Sequence, residues 1–190
     1  MYATRGDAPI LESGGLSDPY FGPPKRCLFE KVTVKRQLAH NDTIILGKIV
    51  FSVHEHPGHI RGSASYSLTI RNEDKSFEVA MINLPTVNNP DPICGVYGKK
   101  LIFNSTYPGI ADDFFMTFKR LKNMNPDIWV AAHANHYRLH EKYSAGSPFS
   151  ACTFKDPEGF RIAIKTREKK FITRLLQQIA ERAPPLTSGK

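Results

Sequence analysis

Apolar and polar residues alternate in short runs along the middle of the chain, and later apolar residues recur at helical spacing. Alternation is typical of strands that bury one face, and turn residues such as Asn41-Asp42 separate some of these runs. The sequence predicts strands over residues 30–35, 43–46, 49–54, 65–70, 77–83 and 128–131. The first 25 residues or so are predicted to form a loop-rich opening.

Two segments have the periodicity of amphipathic helices. The first covers residues 111–122, with four inward apolar positions, at Phe114, Phe115, Phe118 and Leu121. The second follows Asp156, which suits an N-cap, and Pro157, which suits the first helical turn. Its apolar stripe is predicted at Ile164, Phe171, Ile172, Leu175, Leu176 and Ile179. Strands followed by helices favour a mixed fold of the α+β type.

Composition narrows the classes of protein and partner. The chain has 190 residues, 41% of them hydrophobic, and a formal net charge of +8. That length and composition suit a globular domain. The sequence has no run of about 18 apolar residues, the length that a membrane-spanning helix needs. Many basic residues fall on the polar side of the C-terminal helix, which is typical of a solvated helix face. We therefore expect neither a nucleic-acid partner nor a membrane partner.

Three cysteines, Cys27, Cys94 and Cys152, lack Cys-x-x-Cys spacing. An odd number argues against a complete disulfide framework, so the sequence favours three unpaired thiols over one bridge. One bridge stays open as an alternative.

The segment His56-Pro57-Gly58-His59 places an imidazole on a tight turn just before a predicted strand. A backbone turn fixes the orientation of such a ring and leaves it accessible to solvent, which suits a metal ligand. A second histidine, His133, follows the predicted strand at residues 128–131. Strand ends are favoured places for ligands, because loops there are free to change on a rigid base.

These histidines belong to a longer series of motifs that resembles the third subclass of the metallo-β-lactamases. The matching segments are residues 7–18 (DAPILESGGLSD), 57–62 (PGHIRG), 107–113 (YPGIADD), 127–134 (DIWVAAHA), 139–143 (LHEKY), 148–149 (PF) and 156–159 (DPEG). The resemblance extends from residue 2 to about residue 182. It implies a partial αββα metallo-β-lactamase sandwich, formed by residues 1–190 as a single domain that is incomplete at its N-terminus.

The resemblance also implies chemistry. Enzymes of this family use two zinc ions and a bridging hydroxide to open β-lactam rings, and zinc lowers the pKa of bound water toward neutrality. His59 would bind the first zinc and His133 the second, and Asn88 matches a substrate-binding position. Leu84 stands where the subclass commonly has a serine that binds the substrate carboxylate. The family's His-x-His-x-Asp-His motif is absent from the sequence.

The predicted function is therefore a zinc hydrolase of the metallo-β-lactamase type that is truncated and inactive as this chain alone. One alternative is a non-catalytic binding protein on the same scaffold. Another is metal chemistry recovered by a partner chain or by nearby histidines such as His54, His56, His136 and His140. His136 and His140 are expected i, i+4 on one helix, as a chelating or a solvated pair, and His40 is expected at the surface.

Two expectations concern the protein's surroundings. Relatives of this kind are exported, which implies a periplasmic or secreted location, although no signal peptide opens this sequence. An incomplete sandwich would expose strand edges and apolar faces, so we expect self-association.

Overall fold

A mixed five-stranded sheet forms the centre of the computed structural model. The structure describes residues 1–22, 27–72, 75–87, 100–148 and 150–182. The sheet has the order β3-β4-β5-β6-β7, in which only β6 and β7 are parallel neighbours. Its strands are β3 (Thr43–Leu46), β4 (Ile49–Glu55), β5 (Ala64–Asn72), β6 (Lys75–Ile82) and β7 (Ile128–Ala131).

A second, small sheet lies near the N-terminus. It pairs β1 (Tyr2–Thr4) in parallel with β2 (Arg36–Leu38), and the short helix α1 (Ala8–Glu12) follows β1. The strand predicted over residues 30–35 is wrong, and the strand begins at Arg36 instead. The preceding residues make single hydrogen bonds to the α1 region, such as Val32 N–H to the Leu11 carbonyl, so they form no continuous ladder.

Two helices cover one face of the main sheet. These are α2 (Ile110–Lys122) and α5 (Pro157–Ala180), and the short helices α3 (Leu139–Lys142) and α4 (Ala151–Phe154) lie between β7 and α5. Phe171 of α5 stacks on Phe114 of α2 with ring centroids 4.9 Å apart. Both rings join Ala80, Ile82 and other residues in one buried cluster. Burial of these aromatic faces is the main hydrophobic contribution to this layer.

The helix predictions hold in position and are partly wrong in orientation. Phe115, predicted to point inward, is 47% exposed, and Thr117 is buried in its place. In α5, Leu176 and Ile179 are exposed, whereas Gln178 is buried and accepts a hydrogen bond from the Leu101 N–H at 2.7 Å. The Asp156 N-cap is confirmed, because its carboxylate accepts from the Gly159 N–H at 2.9 Å.

The architecture is the predicted mixed α/β fold of the α+β type, a main sheet with a helical layer on one face and a small second sheet. At its edge, β3 exposes Ile45 and Leu46, and self-association stays a prediction. Cys27 and Cys152 are exposed free thiols, and Cys94 lies outside the described residues. Within the described ranges, no helix combines the length and apolar character needed to cross a membrane.

Candidate ligand cleft

Strands β4, β6 and β7 all run in the same direction, so their carboxyl ends meet at one edge of the sheet. The segment after β4 contains His59, the segment after β6 contains Leu84 and Thr86, and the segment after β7 contains His133. These side chains line one cleft of about 470 Å³. The structure therefore brings together the two histidines that the sequence singled out.

The turn that positions His59 is held by α2. Gly58 has φ of +124°, and a Cβ at this position would lie 2.9 Å from the Phe114 ring. The Thr117 hydroxyl donates to the Pro57 carbonyl at 2.6 Å, and the Arg120 guanidinium donates to the Glu55 carbonyl at 2.7 Å. Only glycine tolerates this combination of backbone angle and close approach, so Gly58 lets the turn lie against the helix.

The N-terminal segment holds the other side of the same turn. The Thr4 hydroxyl donates to the Gly62 carbonyl at 2.9 Å. Gly62 is buried against Asp7, and burial, followed by the charge of Asp18, raises the pKa of the Asp7 carboxyl. Asp7, the first residue of the motif segment at residues 7–18, thus packs against the chain that follows His59.

The imidazole of His59 is oriented through its Nδ1 atom. This nitrogen lies 2.9 Å from the Thr86 hydroxyl and 3.0 Å from the Thr86 carbonyl oxygen. A contact of this kind selects the tautomer and the ring orientation of a ligand histidine. The chain after β6 therefore positions the side chain that the chain after β4 supplies.

His133 pairs with a histidine that the sequence analysis placed elsewhere. The rings of His133 and His136 meet edge to face with centroids 4.8 Å apart. The i, i+4 pairing of His136 with His140 is wrong, because His136 ends a 3₁₀ turn and His140 lies in α3, with Arg138 at φ of +58° between them. Burial, then the charges of Arg167 and His133, lower the pKa of His136.

Arg167 of α5 supplies the cationic side of the cleft. It is half-buried and lines the cleft beside His136, Leu84 and Val87. The described residues that line the cleft include no aspartate or glutamate. Asn88, the predicted substrate-binding residue, lies outside the described residues. The described cleft is therefore basic and partly apolar.

The remaining histidines form a separate row below the His59 turn. The rings of His54 and His56 stack at 6.2 Å, and His40 contacts His54 at 6.0 Å. His40 is thus only partly at the surface, contrary to its prediction. His56 is 1% exposed, and its Nδ1 lies 2.7 Å from the Ser65 hydroxyl. The Pro-Gly turn separates this row from His59 along the chain, as the sequence suggested.

Comparison with solved structures places the fold in a family. The chain is 34% identical to the class B3 di-zinc metallo-β-lactamase LRA-12 from an Alaskan soil metagenome, covering 92% of this chain and 62% of that one with a TM-score of 0.80. GOB-18 from Elizabethkingia meningoseptica is 31% identical over 93% of this chain and 62% of its own, with a TM-score of 0.81. The chain has the metallo-β-lactamase fold and is similar in sequence to these class B3 members of the metallo-β-lactamase superfamily.

The class B3 resemblance extends to FEZ-1 from Legionella gormanii. That metallo-β-lactamase is 30% identical over 96% of this chain and 66% of its own, with a TM-score of 0.83. This chain therefore spans less than two thirds of the length of these metallo-β-lactamases, which agrees with the predicted partial sandwich. No protein-family model matches the sequence.

The cleft of this metallo-β-lactamase-fold chain does not complete a zinc site from its own described residues. No group of three or more His, Cys, Asp or Glu side chains there is arranged to hold a metal ion. Catalytic zinc needs about three protein ligands, supplied together. His59 and His133 share the cleft, but the described ligand set falls short of that number.

Arg167 escaped the sequence reasoning, and His136 was named there but paired with His140 instead of His133. The contact of His136 with His133 had a signal in the sequence, the i, i+3 spacing of the two residues directly after a strand. A 3₁₀ turn brings side chains at this spacing onto the same side. Arg167 was assigned to the solvated face of the C-terminal helix together with the other basic residues. Its position in the cleft depends on how α5 lies against the sheet, which helical periodicity does not determine.

Proposed function

We propose that the cleft is the ligand-binding half of a metallo-β-lactamase-type hydrolase site and that this chain alone does not hydrolyse β-lactams. The observation that supports this is the meeting of His59 and His133 in a cleft whose described residues offer too few metal ligands. In this proposal, His59 and His133 each offer one imidazole to a zinc ion. The remaining ligands come from outside the described residues.

The lining also bears on substrate recognition. Leu84 is 4% exposed and forms part of the cleft wall. A leucine side chain has no hydrogen-bonding atom, so this wall selects apolar groups. Thr86 is engaged with the His59 ring, which gives it a positioning role in the proposal. Recognition of a charged substrate group would then fall to the basic side of the cleft.

Metal content and turnover test this proposal. After dialysis against zinc and then zinc-free buffer, we expect elemental analysis to find only substoichiometric zinc, and His59→Ala to leave that value unchanged. We expect no zinc-dependent hydrolysis of a chromogenic cephalosporin. Close to two zinc ions per chain, as in the di-zinc relative, with turnover abolished by His59→Ala or His133→Ala, would overturn the proposal.

A second candidate is a non-catalytic binding protein, favoured by the basic, partly apolar lining of the cleft. A fusion separates the two candidates. Joining the segment of a class B3 relative that contains His-x-His-x-Asp-His to the N-terminus of this chain should produce zinc-dependent turnover if the cleft is a hydrolase half-site. His133→Ala in the same fusion is the matched control. Zinc uptake without turnover in the fusion would favour the binding protein.

A further inference from the structure

Arg167 is a half-buried cation to which the described part of the chain gives no counter-ion. None of the ion pairs between described residues includes it. The acidic residues of its own helix are engaged elsewhere, because Glu158 pairs with Arg161 at 3.0 Å and Glu168 pairs with Lys122 at 2.7 Å. A partly desolvated guanidinium without a partner is costly unless a ligand supplies the charge.

The surroundings of Arg167 favour an anion over a cation. The described residues that line the cleft with it include three imidazoles, those of His59, His133 and His136, and no carboxylate. Arg138 and Lys170 line an adjoining pocket on the other side of Arg167 and extend the basic character. The adjoining acid, Asp156, is already paired with Lys142 at 2.8 Å and Arg138 at 3.1 Å. The local field therefore attracts negative charge.

The shape of the cleft selects among anions. A guanidinium offers a planar fork that matches the two oxygens of a carboxylate. Leu84 and Val87 add apolar wall beside that fork. The cleft volume of about 470 Å³ lies within the range of small-molecule pockets, roughly 300–1,000 Å³. A carboxylate attached to a compact apolar body fits both parts of this lining.

We propose that Arg167 binds the carboxylate of a small organic acid in this cleft and so determines its ligand specificity. This inference deepens the proposed function and rests on it only for the location of the site, because the anion is bound by this chain's own guanidinium without a metal. The apolar body of the ligand lies along Leu84 and Val87. His59, His133 and His136 line the same cleft, with His136 beside Arg167.

The test uses the whole, EDTA-treated chain and two probes of equal shape, benzoate and its neutral amide, benzamide. We expect benzoate to bind and to shift the NMR signals of His133 and His136, and benzamide to bind at least about tenfold more weakly. Arg167→Gln should weaken benzoate binding by about the same factor and leave benzamide unchanged. Arg161→Gln, on the same helix but outside the cleft, is the control for net charge.

Arg167→Lys keeps the charge but loses the planar fork, so its affinity for benzoate should lie between those of the wild type and Arg167→Gln. Equal binding of benzoate and benzamide, no binding of either probe, or unchanged benzoate affinity in a folded Arg167→Gln variant would each overturn the inference. These outcomes leave the zinc and turnover result as it stands. Conversely, a fully loaded zinc site would overturn the proposed function without removing the carboxylate selectivity.

Discussion

Two groups of three histidines lie near the same turn, yet their environments differ. In the row of His40, His54 and His56, His56 is buried and the other two are partly exposed, and the rings contact one another at 6.0 and 6.2 Å. Burial is the first cause that lowers the pKa of each of them. The cleft histidines, His59, His133 and His136, instead line an open cavity at the strand ends. Histidine content alone therefore does not distinguish a structural group from a ligand group.

One hydroxyl connects the two groups. Ser65 is fully buried, and its Oγ lies 2.7 Å from His56 Nδ1 and accepts from the Asn83 N–H at 3.0 Å. Asn83 itself lines the cleft. His56 thus supports the wall of the cleft through Ser65. We expect the first group to contribute stability and, under the proposed function, the second to contribute binding, and mutations can separate the two contributions.

The largest effect is expected from His56→Ala compared with His133→Ala. Removing the buried ring leaves a cavity and the Ser65 hydroxyl short of a partner, so we expect a loss of about 3 kcal/mol in the free energy of unfolding. His133 is exposed, and its truncation should change that energy by no more than about 0.5 kcal/mol. Urea unfolding measures both, and equal losses would contradict the division into structural and ligand histidines.

The sequence predicted most of the main sheet because burial of one face imposes alternation on β3, β4, β5 and β6. It failed at residues 30–35, where single hydrogen bonds to the α1 region replace a ladder. It also misplaced Phe115 and Leu176, because helical periodicity leaves the edges of an apolar stripe undefined. Which edge residue becomes buried depends on the neighbouring element, and no local pattern contains that information.

The site followed the same rule. The meeting of His59 and His133 in one cleft was predictable from motifs in which a turn and a strand end fix the side chain locally, and their role as metal ligands stays a prediction. Arg167 and the pairing of His136 with His133 depend on how separate segments approach one another. The left-handed backbone of Arg138 is such a case, since it interrupts what the sequence suggested was one continuous helix.

A pH titration should sharpen the comparison. Burial, followed by the charges of His54, Arg120 and His40, lowers the pKa of His56 from 6.5 to about 3. His56 is therefore protonated below about pH 6.5 in the unfolded chain but only below about pH 3 in the folded chain. The free energy of unfolding falls as the pH falls from about 6.5 to about 3. Between about pH 7.5 and pH 4.5 the loss from this residue should be about 2.5 kcal/mol.

His56→Gln provides the reference for this titration, because it removes the titrating group and keeps a polar side chain. The difference in unfolding free energy between the two pH values should be smaller in His56→Gln than in the wild type. The same slope in both proteins would show that His56 is not the acid-sensitive group.

Gly58→Ala tests the turn between the two groups. The added Cβ would lie 2.9 Å from the Phe114 ring, and the alanine would have to adopt φ of +124°. We therefore expect the free energy of unfolding to fall by about 2 kcal/mol. Gly47→Ala is the matched control, because Gly47 has φ of +61° with nothing within 4 Å, and should cost about 1 kcal/mol. Thermal unfolding compares them, and an equal cost would mean that contact with α2 does not constrain the turn.

The smallest effect is expected from Thr117→Val, which keeps the volume of the side chain and removes the hydroxyl that donates to the Pro57 carbonyl at 2.6 Å. Loss of one buried hydrogen bond should cost about 1 kcal/mol. Because the turn also positions His59, the imidazole signals of His59 should shift in the NMR spectrum, whereas those of His133 should not.

Thr117→Ser keeps the donor and should preserve the His59 signals even if it loses some packing energy. A Thr117→Val variant with wild-type stability and an unchanged His59 spectrum would show that the His59 ring is held by its own turn and by Thr86, without a contribution from α2.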